Sequence, residues 1–435
     1  MLEAGFVIPT CGYYYQPFRN QPLVALYLLT ILEDRLGGKT SLSLIDLRGV
    51  SKDNLLFHIP EKDIFFYSVG TQDFYEISSI VQGLRQIYPK AKHIAGGPHI
   101  TLFPEESAKI FDSIVLGEGE ESIVNAVEDV SLSCLKAVYR QAKPVNLDAY
   151  SYASRKYLPR KAVVDTGLLP GKYQNLPGTA FIFSRGCPFD CYFCANRDLN
   201  LGPVRVRSPK LVAEEIEYLK CEYKIEALAF KDDNAIPVDR KVAIAHLEAI
   251  AKTGIKWRGQ SRANGIRADV VKLAQEAGCV DIALGIESVC QNVLKIINKR
   301  IDINEAKEYI WLLKKTGIGV RFNLIIGLPG EPDDIVERTL AFIDETEPTS
   351  VLLSYLYPVP GSELFKNPKR FGITINTFDW RRYTATAGRF SEDELPDIIF
   401  DYDQLTPWGA GMSKSRIFQN YVTLQGILRK RGLNF

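Results

Sequence analysis

Apolar runs and amphipathic stretches alternate along the first 130 residues, and this alternation is typical of repeated βα units. Helical spacing predicts helices over 22–36 and about 73–88, and a further helix from Glu120. Strands without polar alternation, separated by helices, indicate a parallel sheet covered on both faces. The pattern predicts an α/β fold with a doubly wound, Rossmann-like domain over 1–135. The apolar runs that predict its five strands are 3–10, 41–47, 63–69, 93–96 and 113–116.

The alternation restarts after a linker that we predict over 136–178. Six more strands are predicted, at 179–185, 226–231, 256–262, 280–286, 319–326 and 350–357. Eight βα units take about 250 residues, so six units over 179–365 indicate a partial, open, TIM-like (β/α)6 barrel. The last segment, 366–435, predicts a small, partly helical C-terminal cap, which either closes the barrel over a substrate or only covers hydrophobic surface.

Composition narrows the class of protein without identifying it. A chain of 435 residues, 46% hydrophobic and 24% charged, is typical of a soluble globular protein with two or three domains. The net charge of +1 favours neither nucleic acid nor an anionic membrane as a partner, and no apolar run predicts a transmembrane helix. The N-terminus does not resemble a signal peptide. Because the other cysteines are scattered singly, we expect a protein of the reducing cytoplasm.

One loop carries the most specific chemistry in the chain. Cys187, Cys191 and Cys194 are spaced C-x3-C-x2-C, and no histidine intervenes before the next cysteine, Cys221. A structural zinc ion takes four ligands, whereas three thiolates suit a [4Fe-4S] cluster with one iron open to another ligand. A zinc ion that borrows a distant fourth ligand remains an alternative. A disulfide would leave one thiol over in a chain that does not look secreted.

Polar or glycine-containing turns follow the predicted barrel strands, at the edge where barrel enzymes carry their catalytic groups. The cysteine loop follows the first strand, and further candidates follow the next four. Because polar groups at successive strand ends are hard to explain by packing, we interpret them as one site. The candidate residues are Asp232, Asp233, Arg262, Asn264, Glu287, Gly327 and Leu328.

The complete cysteine motif, with Phe193 directly before its last cysteine, resembles the defining loop of the radical S-adenosylmethionine (radical SAM) superfamily. The resemblance covers about 179–360 and implies that the three cysteines bind a [4Fe-4S] cluster. In that superfamily the open iron binds the amino and carboxylate groups of S-adenosylmethionine. The resemblance assigns the candidates by position: Asp232 and Asp233 to the amino group, Arg262 to the carboxylate, Glu287 to the amino group or ribose, and Gly327 and Leu328 to the adenine. Asn264 is a further contact to S-adenosylmethionine, without a particular group.

Glycine-rich turns also follow the strands of the first domain, where doubly wound sheets bind ligands. No G-x-G-x-x-G follows the first strand, so a nicotinamide or flavin dinucleotide is not expected. The turns G-G-P-H and G-E-G-E-E-S resemble those of the cobalamin-binding domain that is fused to many radical SAM enzymes. The contacts that this resemblance implies are Tyr13, Tyr14, Gly70, Thr71, Gln72, Gly96, Gly97, Pro98, His99, Gly117, Glu118 and Gly119.

The loop after the first strand departs from the histidine-ligating cobalamin pattern, because it contains no histidine. We therefore expect any cobalamin to lack a lower histidine ligand. Tyr13, Tyr14, Tyr15 and Phe18 in this loop either line the cobalamin, approach the open iron, or form an aromatic plug between the domains.

Together the two resemblances imply a cobalamin-dependent radical SAM C-methyltransferase. In such an enzyme the cluster cleaves S-adenosylmethionine to a 5′-deoxyadenosyl radical, which takes hydrogen from an unactivated sp3 carbon, and methylcobalamin supplies the methyl group. The implied substrate is a peptide or protein side chain or a natural-product precursor, and the implied electron donor is a reductase, flavodoxin or ferredoxin. Two alternatives remain: radical cyclisation or rearrangement without methyl transfer, and a non-enzymatic metal- or cobalamin-binding module.

Overall fold

The computed structural model of the chain describes residues 1–14, 16–141, 143–200, 202–264, 267–384 and 397–434. Tyr15 lies outside the described residues. The chain divides into two compact units. The N-terminal unit comprises Met1–Val163, Asp198–Pro203 and Asp379–Tyr383. The barrel unit comprises Val164–Arg197, Val204–Phe378 and Thr384–Phe435.

The N-terminal unit is built on a six-stranded, entirely parallel sheet of order β2-β1-β3-β4-β5-β6. The strands are β1 (Leu2–Ile8), β2 (Thr40–Asp46), β3 (Ile64–Ser68), β4 (Lys92–Gly96), β5 (Ser113–Leu116) and β6 (Val138–Arg140). The helices are α1 (Leu23–Leu36), α2 (Phe74–Ile87), α3 (Pro98–Leu102), α4 (Pro104–Ser107), α5 (Glu120–Ser131) and α6 (Arg160–Val163). The predicted doubly wound domain is confirmed. Because β2 and β3 flank β1 on opposite sides, the topological switch point lies beyond β1 and β3, where such sheets bind ligands.

The structure extends this unit beyond the predicted boundary at residue 135. The sheet has a sixth strand, β6, which pairs with β5 and was not predicted. The chain after β6 also stays with the unit, because the Ser154 backbone N–H donates to Thr30 Oγ1 (2.9 Å) and Tyr157 Oη donates to Glu33 Oε2 (3.0 Å). The segment 136–178 is therefore not a simple linker, and the unit boundary falls after Val163.

The barrel unit contains a second six-stranded parallel sheet, of order β14-β13-β12-β11-β10-β7, and confirms the predicted partial barrel. Its strands are β7 (Gly178–Phe181), β10 (Ala227–Phe230), β11 (Lys256–Arg262), β12 (Cys279–Glu287), β13 (Gly319–Ile326) and β14 (Ser350–Tyr355). Short antiparallel pairs join β8 (Ser184–Arg185) to β9 (Arg205–Val206), β15 (Ile373–Ile375) to β16 (Phe400–Tyr402) and β17 (Leu405–Thr406) to β18 (Gly409–Ala410).

Helices follow the strands of this barrel and cover its sheet with one continuous apolar core. They are α7 (Asn196–Leu199), α8 (Pro209–Tyr223), α9 (Arg240–Thr253), α10 (Ala268–Glu276), α11 (Gln291–Ile296), α12 (Ile303–Lys315), α13 (Ile335–Thr346), α14 (Glu363–Lys366) and α15 (Lys414–Lys430). Among the described residues, no helix is both long and apolar enough to cross a membrane.

The C-terminal segment does not form the separate cap predicted over 366–435. Ile417, Leu424 and Leu428 of α15 are buried in the barrel core. The helix contacts α13, β13 and β14, and so supplies the helix that follows the sixth barrel strand. Asp379–Tyr383 instead belongs to the N-terminal unit, and residues 385–396 lie outside the described residues. Of the two predicted roles, covering hydrophobic surface is the one that the packing supports.

Candidate active site

The cysteine loop starts from a backbone segment that Asp232 holds in place. Asp232 Oδ1 accepts hydrogen bonds from the backbone N–H of Phe183 (3.0 Å) and from the N–H (2.7 Å) and hydroxyl (2.6 Å) of Ser184. Asp232 is fully buried, and burial raises its pKa to about 7. Asp232 therefore anchors the strand that leads to Cys187, whereas Asp233 beside it is exposed. Asp232 Oδ2 has no hydrogen-bond partner among the described residues, and its contact with an amino group remains a prediction.

Each of the three cysteine sulfurs accepts one hydrogen bond, and such bonds tune thiolate-bound clusters. The donors are Asn234 Nδ2 to Cys187 (3.6 Å), Arg262 Nη1 to Cys191 (3.2 Å) and the Asn196 backbone N–H to Cys194 (3.4 Å). Desolvation by neighbouring chain atoms raises the pKa of the Cys194 thiol to about 11, although the residue as a whole is exposed, and the neighbouring charges of Cys191, Asp233 and Cys187 add to this shift. A bound cation would offset this cost of forming the Cys194 thiolate.

The donor set fits an iron–sulfur cluster better than a single ion. The three thiols form no disulfide. In the described part of the chain, no three His, Cys, Asp or Glu side chains are grouped so that they could hold one metal ion. A zinc ion needs four ligands around one point, whereas a cluster binds its thiolates at separate corners.

The side chain of Arg262 lies against the cysteine loop and is held there by several contacts. Besides Cys191, its guanidinium donates from Nε to Asn264 Oδ1 (3.0 Å) and from Nη2 to the carbonyl oxygen of Lys299. Its central carbon lies 3.6 Å from the ring centroid of Phe189. The guanidinium is thus held by groups of the barrel unit, with Asn264 accepting from its Nε, and the pairing of Arg262 with a carboxylate remains a prediction.

A buried ion pair follows the fourth barrel strand. Lys299 Nζ donates to Glu287 Oε1 (2.8 Å), and both side chains are buried. A Cβ at Gly285 would lie 2.5 Å from Glu287 Oε1 and 2.9 Å from Lys299 Nζ, so a larger residue there would displace the charged ends of the pair. Glu287 itself has a φ of 65°, which is uncommon for a residue with a side chain. Sequence reasoning found Glu287 but missed Lys299, because no pattern links two residues that the fold alone brings together.

The glycine turn after the fifth barrel strand is fixed by its surroundings. The Gly327 N–H donates to Glu331 Oε2 (2.8 Å), and its carbonyl accepts from the Tyr402 hydroxyl (2.8 Å). Gly327 has a φ of 89°, and a Cβ there would lie 2.8 Å from Ile417 Cγ2. Leu328 is buried. The predicted adenine turn is thus a rigid loop, and its backbone polar groups at Gly327 are already paired.

In the N-terminal unit, Tyr13 meets the start of α2 at the switch point. The Tyr13 hydroxyl donates to Asp73 Oδ2 (3.2 Å), and the Tyr13 and Tyr14 rings lie 4.5 Å apart. Burial raises the pKa of Asp73 to about 7 and the pKa of the nearby Cys11 thiol to about 12. The loop therefore offers a phenol and a neutral thiol, but no imidazole, to a ligand at this edge.

The other predicted side chains of the N-terminal unit serve its own packing. His99 is fully buried, with its ring 4.2 Å from that of Phe74. Gln72 Nε2 donates to the carbonyl oxygen of Tyr383 (2.9 Å), and Glu118 Oε2 accepts from the Val145 N–H (2.8 Å). Gln72 and Glu118 thus have partners within the unit, His99 and Thr71 are buried, and the contacts of these four residues with cobalamin remain predictions. The remaining predicted contacts are backbone positions of the turns, at Gly70, Gly96, Gly97, Pro98, Gly117 and Gly119.

Residues 181–343 match the Radical SAM superfamily. The chain is therefore an enzyme with a radical SAM domain, and that domain implies a [4Fe-4S] cluster, S-adenosylmethionine, a substrate and an electron donor.

Two curated relatives are similar to most of the chain. The chain is 29% identical to an uncharacterized methyltransferase of Pyrococcus horikoshii, over 75% of this chain and 73% of that protein. It is 30% identical to the anaerobic magnesium-protoporphyrin IX monomethyl ester cyclase of Cereibacter sphaeroides, over 74% of this chain. The match spans just over half, 55%, of the cyclase.

A solved structure resembles nearly the whole chain. It is the radical S-adenosylmethionine methyltransferase TsrM from Kitasatospora setae, with cobalamin and a [4Fe-4S] cluster bound. The TM-score is 0.67 at 15% identity, over 97% of this chain and 90% of TsrM. At this identity the likeness concerns the fold, and it includes the doubly wound unit as well as the barrel.

Proposed function

We propose that this chain is a cobalamin-dependent radical SAM methyltransferase that acts on an sp3 carbon. The observation that carries the proposal is the cysteine loop at the carboxyl end of β7, where each sulfur accepts a hydrogen bond. The buried Glu287–Lys299 pair after β12 supports it. So do the methyltransferase relative and the fold that the chain shares with TsrM over nearly its whole length.

Cys187, Cys191 and Cys194 would hold the cluster, and their hydrogen-bond donors would position the three sulfurs. When bound, the cluster supplies the electron for reductive cleavage of S-adenosylmethionine, and cobalamin supplies a methyl carrier. The Glu287–Lys299 pair suits the amino-acid end of S-adenosylmethionine, because its carboxylate and ammonium complement an ammonium and a carboxylate. The pair is already desolvated, so a zwitterion would meet both charges in a site of low dielectric.

The N-terminal unit would bind cobalamin at its switch point, beyond β1 and β3. Tyr13 and Tyr14 would face the cofactor there, and the backbone of the glycine turns after β3, β4 and β5 would approach it closely. The phenol of Tyr13 is held by Asp73, so it would stand where other cobalamin domains place a histidine, without an imidazole to bind cobalt.

We propose a peptide or protein side chain, or a natural-product precursor, as substrate. The electron would come from a reductase, flavodoxin or ferredoxin, and a reducing cytoplasm would protect the cluster and the free thiols. Nucleic acid and membrane are not proposed as partners, since the net charge of +1 gives no surface for either.

A second candidate function keeps the radical chemistry without methyl transfer. The similarity to the magnesium-protoporphyrin cyclase favours this alternative, because a cyclase of this kind is named for ring formation.

The test is product analysis on the anaerobically reconstituted chain, supplied with S-adenosylmethionine, hydroxocobalamin and a chemical reductant. We expect reductant-dependent 5′-deoxyadenosine without substrate, and about one cobalamin per chain by its visible spectrum. Once a substrate is found, methylation gives S-adenosylhomocysteine and 5′-deoxyadenosine in equal amounts. Deoxyadenosine without S-adenosylhomocysteine would favour cyclisation or rearrangement, and a chain that makes neither product contradicts both candidates.

A further inference from the structure

The guanidinium of Arg262 is fixed against the cysteine loop by four contacts. Its nitrogens donate to Cys191 Sγ (3.2 Å), Asn264 Oδ1 (3.0 Å) and the carbonyl oxygen of Lys299, and its central carbon lies 3.6 Å from the Phe189 ring centroid. Arg262 is only 6% exposed. Its positive charge is therefore both buried and immobile, beside a sulfur of the cluster motif.

The three sulfurs differ in the charge of their donors. Cys187 accepts from the side-chain amide of Asn234, and Cys194 accepts from the backbone N–H of Asn196, and both donors are neutral. Cys191 alone among the three accepts from a cation, which is the guanidinium. Charge-assisted hydrogen bonds are shorter and stronger than neutral ones, and this bond is the shortest of the three.

The second buried cation near the loop is already compensated. Lys299 is paired with Glu287 at 2.8 Å, so the two charges largely cancel at a distance. Arg262 forms no ion pair with a carboxylate among the described residues, and its acceptors are a sulfur, an amide oxygen and a backbone carbonyl. At the cysteine loop, Arg262 thus provides a buried positive charge that faces sulfur.

We propose that Arg262 is a positioning residue that holds Cys191 and raises the reduction potential of the cluster. This inference rests on the cluster proposed for the same loop. Reduction by one electron makes a thiolate-bound cluster more negative, so a fixed positive charge stabilises the reduced form more than the oxidised form. Because the site has a low dielectric and the guanidinium cannot move away, little of this interaction is screened by salt.

The test is a redox titration of the full-length chain, reconstituted anaerobically and followed by electron paramagnetic resonance of the reduced cluster. Arg262→Gln removes the charge and keeps a planar donor. We expect this variant to keep its iron and to have a more negative potential. At a fixed solution potential, its ratio of reduced to oxidised cluster falls at least about tenfold, which is about 59 mV for one electron. Arg262→Lys keeps the positive charge but lacks the planar guanidinium. The reduction potential of this variant should therefore shift less than that of Arg262→Gln.

Arg300, which follows α11, provides a matched control that contacts the same loop. It pairs with Asp190 of the cysteine loop at 3.0 Å, its side chain is 59% exposed, and no contact of it with a sulfur is found among the described residues. Arg300→Gln should leave the potential unchanged within error. An unchanged potential in Arg262→Gln, or an equal shift in Arg300→Gln, would overturn the inference. If both Arg262 variants fold, as judged by circular dichroism, but bind no iron, Arg262 only anchors the loop and the tuning role is wrong.

The outcomes also separate this inference from the proposed function. Native protein that binds no iron contradicts the proposed cluster itself. Native protein with an iron–sulfur cluster, together with an Arg262→Gln variant of unchanged potential, contradicts only the role of Arg262.

Discussion

The two sheets differ in the polar side chains that follow their strands and in the partners of those side chains. In the barrel, polar side chains after successive strands gather around the cysteine loop: Arg262 and Asn234 donate to sulfurs, and Glu287 meets Lys299. In the N-terminal unit, Gln72 already bonds within the unit. Under the proposed function, the barrel would act on its ligands through charged side chains, whereas the N-terminal sheet would offer mainly backbone and glycine turns.

The largest expected effect comes from the sulfurs. Replacing Cys187, Cys191 and Cys194 together by alanine should abolish iron binding and reductant-dependent cleavage of S-adenosylmethionine, because these three sulfurs are the proposed ligands of the cluster. Iron analysis and deoxyadenosine assays measure both. Cys221→Ala is the matched control, since Cys221 is exposed on α8 and should behave like the native chain. Retained iron in the triple variant would place the cluster elsewhere.

The Glu287–Lys299 pair should give the next largest effect. Glu287→Gln leaves a buried ammonium without its partner, which should cost about 3–5 kcal/mol in the free energy of unfolding. Its affinity for S-adenosylmethionine should fall at least about tenfold, or about 1.4 kcal/mol, by titration calorimetry.

The double variant Glu287→Gln, Lys299→Met separates the two consequences. Removing both charges should recover much of the stability without recovering the affinity. Unchanged affinity in the single variant and in the double variant would show that the pair only supports the fold.

Buried carboxyls at strand ends should make the stability of both units depend on pH. Burial raises the pKa of Asp232 in the barrel, and of Asp73 in the N-terminal unit, from 3.8 to about 7. Between these values the folded chain binds protons that the unfolded chain has lost, so stability falls as pH rises. Each carboxyl group changes the free energy of unfolding by at most about 1.4 kcal/mol per pH unit.

Asp232→Asn and Asp73→Asn should each flatten this dependence in denaturant unfolding measured from pH 4 to pH 7. A slope that neither variant changes would mean that both carboxyls are ionised in the folded chain.

The smallest effect should come from His99, although the sequence places it in a cobalamin turn. The ring is fully buried between aromatic side chains, and neither ring nitrogen has a hydrogen-bond partner among the described residues. One charged group lies near it, but Glu106 Oε2 is 3.7 Å from Nε2, beyond hydrogen-bond distance. His99→Phe should therefore change stability by no more than about 1.5 kcal/mol and leave cobalamin binding intact, as measured by the visible spectrum.

Gly97→Ala, two residues earlier in the same turn, should have a larger effect than His99→Phe, because it disturbs the backbone of the turn. Gly97 has a φ of 101°, and a Cβ there would lie 2.8 Å from the backbone nitrogen of Val69. This variant should lose stability and cobalamin binding together. Loss of cobalamin binding in His99→Phe alone would restore His99 as a ligand contact.

Much of the fold was predictable, because the spacing of hydrophobic residues along the chain depends on the local secondary structure. The strand predicted at 113–116 is found as Ser113–Leu116, and the strand predicted at 256–262 is found as Lys256–Arg262. The three-residue strand Val138–Arg140 is too short to show a period. The helix Lys414–Lys430 is visible in the sequence, but its periodicity does not say which surface it covers.

The candidate site was predictable in its chemistry and less so in its geometry. The spacing of the cysteines predicts a metal-binding loop without any structure. Asp232 and Arg262 were found by their position at strand ends, but whether such a side chain faces a ligand or its own loop depends on packing between distant segments. Lys299 was missed for the same reason, since it meets Glu287 only through the fold.

The most direct test is Mössbauer spectroscopy of the anaerobically reconstituted chain, with and without S-adenosylmethionine. We expect the spectrum of a [4Fe-4S] cluster in which one iron differs from the others and changes when S-adenosylmethionine is added. A chain that takes up zinc instead of iron, or a cluster whose irons all stay unchanged, would contradict an open iron held by Cys187, Cys191 and Cys194.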